Sequence, residues 1–67
     1  MMTEIKHTLG IVDTRFPWAG VVQILAEGTL AEMVAAIRKN PRAELLRVWM
    51  PVSNRWATPY EAEMAAR

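Results

Sequence analysis

The chain has 67 residues, no cysteine, one histidine and a net charge of +1, with 52% of its residues hydrophobic. One small domain over residues 1–67 is the most such a length supports; disulfides and thiolate metal sites are excluded, and a single histidine makes a metal cage unexpected. No stretch approaches the ~18 uninterrupted apolar residues of a membrane span, and the opening MMTEIKHTLG has no apolar run of the signal-peptide kind, so the expected location is cytoplasmic.

Residues 4–12, EIKHTLGIV, alternate with a period of two, the pattern of a half-buried strand. Ile5, His7, Leu9 and Ile11 share one face; Glu4, Lys6, Thr8 and Gly10 share the other. Residues 13–19, DTRFPWA, read as a connection, since Pro17 has no ladder donor and Asp and Thr favour turns. Phe16 and Trp18 flank that proline, and a loop so apolar is expected to fold back as a lid over a core edge, the alternative being a contact surface. Residues 20–27, GVVQILAE, carry the β-branched Val21, Val22 and Ile24, which favour a strand over a helix from Pro17 to Glu27. Regular alternation would set Val22, Ile24 and Ala26 against Val21, Gln23 and Leu25.

Residues 29–40, TLAEMVAAIRKN, predict a helix. Thr29 and Glu32 have capping-box spacing, and Leu30, Met33, Val34 and Ile37 form one apolar stripe. Arg38 and Lys39 suit its C-terminal dipole, and Asn40-Pro41 stops it. Residues 44–50, ELLRVWM, predict a strand with Leu46, Val48 and Met50 on one face and Leu45, Arg47 and Trp49 on the other. After the turn PVSN, Thr58 and Glu61 repeat the capping-box spacing with Pro59 at the first helical position, predicting a short helix from Pro59 to about Ala66. The alternative for Arg55 to Thr58 is a hairpin back onto the preceding strand.

The expected fold is α+β: a small ββαβ three-stranded sheet with one amphipathic helix on one face and a short C-terminal helix. The first two strands pair antiparallel, and the second and third are parallel through a right-handed crossover. Ile5, Leu9, Ile11, Val22, Ile24, Leu46, Val48 and Met50 would meet the helix.

Catalytic groups do not assemble in this pattern. His7 lies in strand parity with apolar neighbours, and no Gly-x-Ser-x-Gly surrounds Ser53. Glu27 and Glu32 flank a helix start, whose dipole they complement. Glu61 and Glu63 are two apart and so on different faces of a helix, and three scattered glycines make no phosphate-binding fingerprint. The expectation is a non-enzyme without cofactor.

A chain this short buries about 60% of its unfolded surface, and an unstapled core of that size supplies roughly 3–5 kcal/mol. Its hydrophobic fraction therefore exceeds what one helix can cover. The expected docking surface is Leu45, Arg47, Trp49, Arg55 and Trp56, on and beside the sheet face opposite the helix and completed by Val21 and Leu25, because Trp and Arg are the types most enriched at binding hot spots. This reads as a non-catalytic protein-binding module that binds itself as a homodimer or binds another protein. Such a module is a small adaptor or stoichiometric inhibitor of the kind found among phage and plasmid accessory proteins. The alternative is a nucleic-acid binder. Residues 38–55 carry Arg38, Lys39, Arg42, Arg47 and Arg55 against Glu44 alone, so Arg38, Lys39 and Arg42 would contact phosphates while a tryptophan stacks on bases. Against it stands a pI of about 8.3, below the pI above ~9 that marks such domains.

Overall fold

A computed structural model describes residues 5–67. Both predicted capping boxes form. The Thr29 hydroxyl accepts from the Glu32 amide at 3.2 Å while the Glu32 carboxylate accepts from the Thr29 amide at 2.9 Å, opening helix α1 (Leu30–Lys39). Thr58 and Glu61 repeat the exchange at 3.2 and 3.0 Å to open α2 (Pro59–Ala65). Two amides that the first turn would leave orphaned are satisfied in each case.

The strands are β1 (His7–Val12), β2 (Val21–Gly28), β3 (Leu46–Met50) and β4 (Arg55–Ala57). They form one sheet in the order β2-β1-β3-β4, every neighbouring pair antiparallel. The sheet thus has four strands, not three. Residues 55–57 return onto β3 after a turn that ends in Asn54 at φ 54°, and α2 follows at once, so hairpin and helix coexist in the last third of the chain. Because β1 is antiparallel to both β2 and β3, those two run in the same direction, as the crossover required, but β1 lies between them.

Two boundaries move. Ile5 and Lys6 precede β1 rather than belonging to it, and Glu4, the first residue of the expected strand, lies outside the described residues. Ala43–Leu45 form a 3-10 turn, so β3 begins at Leu46 instead of Glu44.

Both helices pack on one face of the sheet. The core is Leu9, Met33, Val34, Ile37, Leu46, Val48 and Ala62, with Ile11, Ala26, Leu30 and Met50 packed around it. Each large side chain there contributes about 1.5–3 kcal/mol through burial. Val22, Ile24 and Ile5 were expected in this core and are exposed. For β2 the cause is its register. Leu9 pairs with Ala26, Gly10 with Ile24, Ile11 with Gln23 and Val12 with Val21, so Leu25 and Val22 have no partner on β1. Each extra residue is a bulge that inverts the alternation beyond it. Ala26 stays on the helix side, while Ile24 passes to the helix-free face with Gly10 and Gln23 to the helix side with Ile11; the second bulge restores the parity, and Val21 keeps its helix-free face opposite Val12.

Candidate interaction surface

The helix-free face is built around two aromatic rings. Trp49 and Trp56 are cross-strand partners, and their rings meet edge to face, centroids 5.4 Å apart and planes at 65°, a favoured aromatic geometry. Gly10 is buried beside Trp56: a β-carbon there would lie 3.2 Å from Trp56 Cη2 and 2.5 Å from Val21 Cγ1. Glycine at this position leaves the space into which the indole and the valine pack. Both tryptophans are half-buried.

The other expected site residues are divided. Arg47 shares the tryptophan face, but its Nη1 donates to the carbonyls of Glu44 at 2.9 Å and Leu46 at 2.7 Å, which folds it back onto its own strand. Leu45 is half-buried in the 3-10 turn, off the strand that carries Arg47 and Trp49, because the turn ends its strand alternation. Arg55 pairs with Met50 and reaches Glu61 Oε2 of α2 at 2.7 Å, which places it on the helix side, away from the ring of its neighbour Trp56.

The basic segment does not make one stripe. Arg38 donates to Glu63 Oε1 at 2.8 Å between the helices, Arg55 is held by Glu61, and Arg47 by backbone carbonyls. Lys39 and Arg42 are exposed where α1 ends. The partners of these pairs respond. The Arg55 guanidinium, then the Thr58 amide and hydroxyl, hold the Glu61 carboxyl down at about 2. Arg38 lowers Glu63, and the Thr29 amide and hydroxyl lower Glu32. Arg55 is raised by its bond to Glu61.

The largest unprotected apolar surface lies elsewhere, on the segment from Phe16 to Leu25. Trp18 is 79% exposed, Val22 63%, Ile24 53%, Phe16 51% and Leu25 42%. Phe16 and Trp18 flank a 3-10 turn at Pro17–Ala19 and meet edge to face at 5.8 Å. They project into solvent where a lid over the core was expected. Gly20 at φ 99° then turns the chain into β2, a conformation that only glycine adopts freely. The chain's own residues miss this surface when read as regular alternation. The signal that marks it is the eleven-residue run FPWAGVVQILA, which holds no charged residue although β2 is an edge strand.

Between the helices lies a shallow cleft of about 200 Å³, lined by Ala31, Val34, Ala35, Arg38, Glu63, Ala66 and Arg67. It offers small apolar side chains beside a closed ion pair and no nucleophile. His7 is half-buried at the start of β1, and its Nδ1 has no hydrogen-bond partner. Among the described residues, no three histidine or acidic side chains come together as a metal site, and no helix is long and apolar enough to cross a membrane. In comparisons with known proteins, the chain matches no family model, no curated protein and no solved structure.

Proposed function

We propose that this chain is a non-catalytic protein-binding module whose docking surface is β2 together with the Phe16–Trp18 turn, bordered by the Trp49–Trp56 face. The observation that carries the reading is the concentration of five exposed large apolar residues within Phe16–Leu25. Isolated surface apolar residues are ordinary, whereas a contiguous patch is the mark of an interaction site. A long edge strand without a charge over Val21–Ala26 lacks the lysine or proline that edges normally carry against association. Arg38, Arg47 and Arg55 are engaged within the fold, which favours a protein partner over phosphates.

The test compares wild type with an Ile24→Lys, Trp18→Ser double variant as immobilised baits in extracts of the native host. Both positions are exposed, so circular dichroism of the two baits should coincide. Proteins retained by wild type and released by the variant are expected. Identical retention by both baits removes the proposal.

A further inference from the structure

We infer that the partner seated on this surface is a second copy of the chain, placed antiparallel across β2 about a two-fold axis. The inference rests on the binding role proposed above and specifies its occupant. Three features support it. The first is area. Phe16, Trp18, Val22, Ile24 and Leu25 each leave about half or more of a large side chain in water. With full areas on the order of 150–250 Å² each, one copy offers on the order of 500 Å², and two copies on the order of 1,000 Å² together. That is the low end of the interface range, the size of weak and transient pairs, and a second copy brings the same apolar patch.

The second feature is charge. Residues 16–26 carry none, so the patch presents no charge pattern by which a differently charged partner would be selected, and identical copies meet without repulsion. Glu27 is the single charge on β2, and it decides the direction. A parallel arrangement would bring the two Glu27 carboxylates together. An antiparallel one with its axis at Gln23, so that each Gln23 faces its counterpart, sets Glu27 opposite Ala19 of the other copy. At about 3.3 Å per residue the two carboxylates are then about 26 Å apart, well beyond the ~8 Å screening length at physiological salt.

The third feature is the pair of bulges. Val22 and Leu25, the residues of β2 without partners on β1, flank that axis on either side, opposite Ile24 and Val21 of the other copy. Their side chains, turned out of the regular alternation, are the natural contacts of such a pair. The bulges also interrupt the outer hydrogen-bonding edge. Side-chain packing therefore carries the association more than a continuous ladder, and the dimer is one that dissociates on dilution.

Sedimentation velocity over a concentration series tests this, with Leu25→Lys against Tyr60→Lys, the latter more exposed and on α2. Wild type and Tyr60→Lys are expected to approach twice the protomer mass, while Leu25→Lys weakens association at least about tenfold. Because the chain has no cysteine, Gln23→Cys reports the geometry without background: it is expected to link into disulfide dimers on mild oxidation, whereas Val52→Cys on the β3–β4 turn does not. A wild-type chain that stays monomeric throughout overturns the inference, and the bait comparison above then decides separately whether the binding role survives. A dimer that persists in Leu25→Lys and leaves Gln23→Cys unlinked, or growth past two copies, overturns it as well.

Discussion

Gly10 on β1 and Trp56 on β4 touch across the intervening strand β3: a β-carbon at residue 10 would sit 3.2 Å from the far edge of the indole. The same atom would lie 2.5 Å from a methyl of Val21, whose branched side chain has little rotamer freedom to yield. Gly10→Ala is therefore expected to lower stability by about 1–3 kcal/mol, the usual cost of overpacking, as a fall in the urea midpoint. Adding Val21→Ala removes the closest contact, so the double variant should lose less than the two single losses combined. An unchanged midpoint for Gly10→Ala would show that the indole is not seated there.

Each capping box supplies a second expectation. Thr29→Ala and Thr58→Ala should each cost about 1 kcal/mol, and Thr→Ser at either position should restore most of it, because serine keeps the accepting oxygen. Thermal melts followed by far-ultraviolet dichroism measure this. Equal melting of the alanine and serine variants would contradict the capping role.

Acid stability follows from Glu61. Its carboxyl is held at about 2 in the folded chain against an ordinary value of about 4.5, so the unfolded chain binds its proton first as pH falls. The stabilisation is complete above pH 4.5 and is lost progressively between there and pH 2; Glu63 and Glu32 act in the same direction. Melting temperature should decline across that window, and Glu61→Gln should flatten the decline while lowering stability at neutral pH. A Glu61→Gln profile parallel to wild type would refute the assignment.

Tryptophan fluorescence separates the three indoles. Trp18 is 79% exposed while Trp49 and Trp56 are half-buried. Acrylamide should quench one component steeply in dilute protein, and Trp18→Phe should remove that component. At concentrations where copies associate, the steep component should diminish. Three equally accessible indoles would be incompatible with the described packing.

The helices were legible in the residues because their signals are local: a threonine, a glutamate three positions on, and a stripe at helical spacing. The α+β class and the strand directions follow from those elements and a crossover argument. The β2 faces were not legible, because bulges at Val22 and Leu25 carry no glycine or other marker and reverse parity silently. The place of Trp56 depends on strand order, which brings Gly10 within its reach from the opposite half of the chain. Arg47 and Trp49 lie on the helix-free face as strand alternation predicts, whereas a 3-10 turn displaces Leu45 from it; Arg55, expected beside that face, is drawn to the helix side by an acidic partner on α2.

Strand order also governs how the chain is made. Of the two inner strands, β1 and β3, β1 precedes the other three strands in the chain, and its second flank is supplied only by residues 46–49. A nascent chain halted after α1 would hold β1 with one side naked, and Leu9 would lack its cross-strand partner Val48. Truncation anywhere before Met50 should therefore yield an aggregation-prone fragment and not a smaller domain.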